Sequence, residues 1–249
     1  LRTDEEGSVT DWHPLLAHSA DVAAVVEALL QKTILRDRLA SLIGWDNLSD
    51  VHVARLSALA ALHDAGKVNH GFQGQAFSDG RKSPGHVKPI INVLSTPPLL
   101  EKVLLPLGLE PMMSWFEGRK DPDHFLRATW AHHGEPVDST RDQNTSLWEP
   151  HSRDPIDELE RLGERVQDWF PKAFNDGKPL PPDQSDFQHA FNGVLTLADW
   201  IGSGFPYADD QDQNFLDRAR GIARRRLQKQ AMLAESYQNS LGAPVGFSG

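Results

Sequence analysis

Apolar side chains recur at intervals of three and four residues through most of this 249-residue chain, and no strand-like apolar and polar alternation interrupts them. That period confines the chain to helices packed by one face, because a 3.6-residue turn returns every third or fourth side chain to the same side. Leu15, His18, Val22, Val25 and Leu29 share one face of a helix predicted from Pro14 to about Gln31. Val53, Leu56, Leu59, Ala60 and His63 share the face of a second, predicted to start at a Ser49 or Asp50 cap and to stop at Gly66. His18 and His63 therefore turn inward.

The rest of the chain continues the pattern. Residues 68–98, rich in Gly, Pro and Ser, read as a loop that carries His86 and has room for a short helix from Pro89 to Leu94. PDHFLRATWAHHG predicts a helix opened by Pro122 and stopped by Gly134, with His132 and His133 at its end. A helix from Pro155 to Phe170 and a connection from Pro171 to Asp186 come next. DFQHAFNGVLTLADWIGS is apolar enough to predict a central helix, with Asp199 set among Leu195, Leu197, Ala198, Trp200 and Ile201. A charged helix from about Asp210 to Tyr237 closes the chain. No internal repeat or heptad array is visible, so the expectation is one all-α domain, a helical bundle.

Composition narrows the chemistry. The chain has no cysteine, which leaves His, Asp and Glu to hold any metal, and it has eleven histidines. No apolar run approaches the roughly 18 residues of a membrane helix, and LRTDEEGSVTDW is unlike a signal peptide. The expected setting is cytoplasmic, with no membrane partner. A net charge of −10 argues against nonspecific coating of nucleic acid, which needs clustered Lys and Arg. Arg218, Arg220, Arg224, Arg225, Arg226 and Lys229 form one basic concentration, read as a solvated face balanced by the preceding DDQDQNFLD rather than as a DNA track.

His18, His63 with Asp64, His132 with His133, and Asp199 fall at helix ends or on inward faces. Taken singly, each has a duller explanation, since a lone inward histidine is more often a hydrogen-bonded core residue and a lone buried aspartate a cap or packing anchor. Together they are harder to explain away. A buried carboxylate needs a cation or a set of donors, and a metal held by imidazoles and carboxylates satisfies every member at once.

The ordered set, with WHPLLAHSADVAAV, LHDAGK, GHV, AHHG and LADWIGS, resembles the HD metallophosphohydrolase superfamily. More narrowly, it is similar to the HD nuclease domain of the helicase-nuclease of type I CRISPR systems, with an opening like subtype I-E. LHDAGK alone identifies the superfamily; the opening and the AHHG to LADWIGS succession narrow it. The resemblance spans about residues 12 to 203. It implies an HD-domain bundle with ligands at helix ends around a surface cleft, in which His18, His63, Asp64 and Asp199 hold a first metal and Asp64, His86, His132 and His133 a second. His70 is an alternative to His86. Lys67 is implied to meet the phosphate, which makes Asp64 and Lys67 the catalytic pair.

The resemblance further implies a nuclease, endo- or exonucleolytic, that uses two divalent transition-metal ions, Mn, Fe, Co or Ni, with Zn as an admissible but inhibitory occupant. Its implied substrate is single-stranded DNA, its partners a helicase in cis or trans and the surveillance complex Cascade, and its role antiviral defence. No Walker A loop occurs in the chain, so residues 1–235 are expected to form the nuclease domain and 236–249 a tail toward a helicase. An HD nucleotidase or cyclic-dinucleotide phosphodiesterase would use the same ligands on a small substrate, with His13 and the loop at 69–88 closing a pocket. A noncatalytic scaffold would have lost ligands, and this sequence retains the full set.

Overall fold

Alanine and valine occupy every side of the first long helix, so it has no face to offer water and becomes the post around which the others pack. The computed structural model describes residues 2–4, 9–74, 85–118, 121–132, 145–151, 153–181, 184–208 and 214–240. A short antiparallel pair, β1 (Arg2–Thr3) with β2 (Val9–Asp11), sets Arg2 opposite Asp11 and precedes the helices. Two or three residues are too few to show alternation in a sequence. Otherwise the described residues are all-α, as expected.

Helix α1 (Leu15–Leu30) buries Ala17, Ala20, Val22, Ala23, Val25, Val26 and Leu30 together. After α2 (Thr33–Ser41) comes α3 (Asp50–Ala61), opened by a reciprocal cap in which the Ser49 hydroxyl accepts from the His52 amide while His52 Nδ1 accepts from the Ser49 amide. The helix stops at Ala61 rather than Gly66, and a 3₁₀ turn at Ala65–Val68 comes after it. Gly66 is therefore not a terminator. A Cβ there would land on the His86 carbonyl oxygen, so the glycine exists to let the next segment approach.

That segment comprises α4 (His70–Gln73) and α5 (Val87–Leu94), which starts two residues ahead of the expected Pro89. Then α6 (Pro97–Leu99) runs into a π turn at Leu100–Leu104, succeeded by α7 (Leu109–Met112) and α8 (Asp121–Trp130). The Asp154 side chain caps α9 (Pro155–Trp169), and α10 (Ser185–Ser203) and α11 (Phe215–Ser240) complete the bundle. The last helix runs past residue 235, the expected domain end.

Two expectations about position change. The central helix is α1, against which α3, α10 and α11 all pack. Helix α10 is amphipathic: it buries Phe187, Phe191, Leu195 and Ala198, while Leu197 and Trp200, which made its sequence look central, face solvent. The arginines of α11 are also not simply solvated. Arg218 meets Asp21 of α1, Arg220 grips Glu27 through two hydrogen bonds, and Arg226 bonds the Gly204 carbonyl, which leaves Arg224, Arg225 and Lys229 exposed. Of the acidic run, 209–213 lie outside the described residues.

Two glycine substitutions should move stability in opposite directions. Gly193 lies on the exposed side of α10 with open space at its Cβ position, so Gly193→Ala should stabilise by about 0.5 to 1 kcal/mol. Gly66→Ala should destabilise by about 1 to 3 kcal/mol through overpacking against His86 and Ile90. Urea denaturation midpoints of the two variants measure both effects; a neutral Gly66→Ala would contradict the close approach.

Candidate metal centre

Two residues past the ends of α3 and α8 stand His63 and His132, which use the same local device. The last carbonyls of a helix lack an intrahelical donor. His63 Nδ1 reaches the Ala60 carbonyl at 2.9 Å, and His132 Nδ1 reaches the Thr129 carbonyl at 3.2 Å, each from three residues further along the chain. A carbonyl only accepts, so each Nδ1 carries a hydrogen and each Nε2 is aimed away from its helix. Both Nε2 atoms converge on Asp64.

Asp64 divides the cluster between its two oxygens. Oδ2 lies 3.1 Å from His18 Nε2 and 3.2 Å from His63 Nε2, and it is also met by the Lys67 ammonium. Oδ1 lies 3.0 Å from His86 Nε2 and 3.6 Å from His132 Nε2. Asp199, reaching in from α10, places Oδ1 3.2 Å from His18 Nε2 and 3.8 Å from His63 Nε2. Asp199 Oδ1 also accepts from the Ser203 hydroxyl. Three sets of donor atoms, His18/His63/Asp64, His63/His132/Asp199 and Asp64/His86/His132, each fall within 4.8 Å of one another.

These donors suit a divalent ion. His18 Nε2, His63 Nε2 and both Asp64 oxygens are buried, and despite the short distances none makes a hydrogen bond of acceptable geometry. Without a metal, a proton on His63 and the Lys67 ammonium offset the Asp64 charge; a divalent ion would meet the same converging donors directly. Nitrogen and oxygen donors without sulfur fit the middle and late transition metals. The floor, His63, Asp64 and His132, is at most 1% exposed, whereas Lys67 on the rim keeps 28% of its side chain in solvent. Substrate can therefore approach from the rim.

Of the site residues expected from sequence, His18, His63, Asp64, Lys67, His86, His132 and Asp199 come together; His133 lies outside the described residues. His86, not His70, faces Asp64: His70 Nε2 is directed to the Glu149 carbonyl at 2.7 Å, with its ring against His151. His52 belongs to the α3 cap and also bonds the Lys178 carbonyl. Three supporting residues escaped notice in the sequence. Asn69 is buried and donates to the carbonyls of Gly66 and Gly85, clamping the segment that delivers His86. Trp130 donates to the Leu62 carbonyl, tying α8 to the end of α3, and Thr196 donates to the His132 carbonyl from α10. Asn69 alone left a local signal, as the cap that accepts from the Phe72 amide.

The family described as Cas3, HD domain, matches residues 2–207. The CRISPR-associated endonuclease/helicase Cas3 of Thermus thermophilus is 26% identical over 255 residues, covering 90% of this chain and 26% of that protein. The chain thus spans about a quarter of the curated relative it matches. The crystal structure of the Thermus thermophilus Cas3 HD domain in the presence of Ni2+ shares the fold at a TM-score of 0.60 and 23% identity, covering 95% of this chain and 89% of that one. A chain in a CRISPR RNA-guided surveillance complex, pre-nicking, does so at 0.59 and 23%, covering 93% and 28%.

The electrostatics of the cluster make a measurable statement about pH. Burial pushes the His63 imidazole down, but the Asp64 and Asp199 carboxylates outweigh it and raise its pKa from 6.5 to about 9. Burial pushes the Asp64 carboxyl up, and His63, Lys67 and His18 together hold it well below the usual carboxylate range. In metal-free protein, the His63 contribution to stability is complete below its unfolded pKa of 6.5 and is lost as pH rises through about 9. The Asp64 contribution is present above 3.8 and is lost on acidification. The melting temperature of chelator-treated protein should therefore fall between about pH 6.5 and 9, and a divalent ion should restore it while releasing protons. A flat metal-free profile across that window would contradict this arrangement of charges.

Proposed function

Because the chain belongs to the Cas3 HD-domain family, we propose that it is a metal-dependent nuclease that hydrolyses the phosphodiesters of single-stranded DNA in CRISPR interference. The observation that carries this function is the convergence of four imidazoles on the two oxygens of one buried aspartate. His18, His63 and Asp199 with Asp64 Oδ2 would hold one divalent ion, and Asp64 Oδ1 with His86, His132 and His133 a second. Ions of Mn, Fe, Co or Ni bound there supply Lewis acidity toward phosphate oxygens and lower the pKa of water toward about 7. Zn fits the same donors and is expected to inhibit.

Asp64 positions both halves of the site. Lys67, paired with Asp64 in this structure and open to solvent, offers its ammonium to the nonbridging oxygens of a phosphate that enters from the rim. Phe72 borders the site, with its ring edge-on to His86 at 5.2 Å and the Lys67 ammonium 5.8 Å from its centroid. With Phe72 and Phe77 as its only rings, the sequence of residues 71–85 lacks the aromatic density of a pocket that encloses a base, which favours an open cleft that a strand crosses.

Affinity for DNA comes from outside this domain. Among the described residues of α11, Arg218, Arg220 and Arg226 are committed to the fold, which leaves Arg224, Arg225 and Lys229 as its cations for phosphates. A helicase, in cis beyond the tail at 236–249 or in trans, feeds the strand to the nuclease domain of residues 1–235, and Cascade recruits the assembly to its target in the cytoplasm. The similarity to a helicase-fused relative and to a chain in a surveillance complex supports these partners.

Metal-dependent turnover of circular single-stranded DNA, duplex DNA, a deoxynucleoside triphosphate and a cyclic dinucleotide under one condition tests the substrate. Circular single strands should be cut in preference to the others; efficient turnover of either small molecule with circular DNA left intact would favour an HD nucleotidase or cyclic-dinucleotide phosphodiesterase instead. Lys67→Ala should keep its metal and lose cleavage by about 10²-fold or more. Metal loss in that variant, by elemental analysis, would contradict the phosphate role.

A further inference from the structure

The family match ends at residue 207, yet α11, which begins at Phe215, packs along α1, the helix that carries His18. The contact centres on a fully buried carboxylate. Asp21 lies one helical turn beyond His18, with Oδ1 3.3 Å from an Arg218 guanidinium nitrogen and Oδ2 2.8 Å from His13 Nε2. Helix α10 presses on the same place: a Cβ on Gly202, three residues past Asp199, would stand 3.4 Å from the Asp21 carbonyl carbon. Asp21 thus marks the junction of three helices, two of which carry metal-centre residues.

The His13 ring is held at both nitrogens and on one face. Its Nε2 donates to Asp21, its Nδ1 accepts from the Ala208 amide at 3.4 Å, and its face stacks on Tyr207 at 5.0 Å with 11° between the planes. So held, it stands edge-on to His18, with ring centroids 6.1 Å apart. The chain of contact runs from α11 through Arg218, Asp21 and His13 to the imidazole that faces both Asp64 and Asp199. The Arg218 guanidinium is anchored by a further hydrogen bond to the Pro206 carbonyl.

We propose that Arg218, Asp21 and His13 are positioning residues that set the His18 ring for metal capture, which makes the last helix a working part of the centre. The proposal rests on the metal-dependent function argued above. It differs from simple bundle stabilisation because a second ion pair joins the same two helices further along: Arg220 bonds Glu27 at 2.6 and 3.0 Å, with no link to a ligand. Arg220→Ala is therefore a control for helix packing alone.

Titration of the chain with Co2+, read by visible absorption and calorimetry, separates the two roles. Arg218→Ala and His13→Ala should each weaken Co2+ binding by about tenfold and alter its absorption spectrum, a common size of effect for groups that orient a ligand. Arg218→Lys, which keeps a cation on Asp21, should recover most of the affinity. Arg220→Ala should lower the melting temperature but leave affinity and spectrum as in the unmodified chain. If Arg218→Ala fails to fold, His13→Ala carries the test, since it leaves the Arg218–Asp21 pair in place. Unchanged Co2+ affinity and spectrum in Arg218→Ala or His13→Ala would overturn the positioning role. Failure of the unmodified chain to bind Co2+ would overturn the metal-dependent function and the positioning role with it.

Discussion

A carboxylate with 1% of its side chain exposed lies at the junction of four chain segments, and its burial is the constraint on which the rest of the structure depends. Removing such a group from water costs several kcal/mol unless opposite charge and donors compensate. Asp64 has four imidazoles and a lysine around it, delivered by the first turn of α1, the turn after α3, the start of α5 and the turn after α8. Each segment must end or bend where it does for those groups to arrive. The His63 and His132 bonds to their own helix ends show how: the termination of the helix and the aim of the ligand are one feature.

The supporting structure is arranged to keep this cluster from relaxing. Trp130 ties the ends of α3 and α8 together, Thr196 holds the His132 carbonyl from α10, and Asn69 clamps the backbone on both sides of the loop that brings in His86. They hold the helix ends and the loop from which His63, His132 and His86 are presented, so these donors stay directed at Asp64.

How much of this could be seen in the sequence depended on the range of the forces involved. The helices announced themselves because amphipathic periodicity is local, and the inward aim of His18 and His63 came with it. Asp64, Lys67 and His132 were visible as motifs at helix ends, and Asp199 as a carboxylate set within an apolar helix. Position within the bundle was not: α10 looked central because Leu197 and Trp200 were counted as core, while α1 is buried all round because its alanines admit neighbours on every side. Gly66 looked like a helix stop, but its meaning lies twenty residues away in the His86 carbonyl, and spacing cannot report such a contact. The bonds of Arg218 to Asp21 and Arg220 to Glu27 were hidden for the same reason, since their partners are nearly two hundred positions apart.

If the division of Asp64 between Oδ2 and Oδ1 is the organising feature, metal should occupy both sides of that residue. Anomalous diffraction from crystals of the Mn2+- or Co2+-loaded chain, collected on either side of the metal absorption edge, locates ions without reference to activity. Two peaks are expected, one beside Asp64 Oδ2 among His18, His63 and Asp199, the other beside Oδ1 among His86 and His132. A single peak, or peaks that leave Asp64 unliganded, would contradict the bridging role on which the proposed chemistry depends.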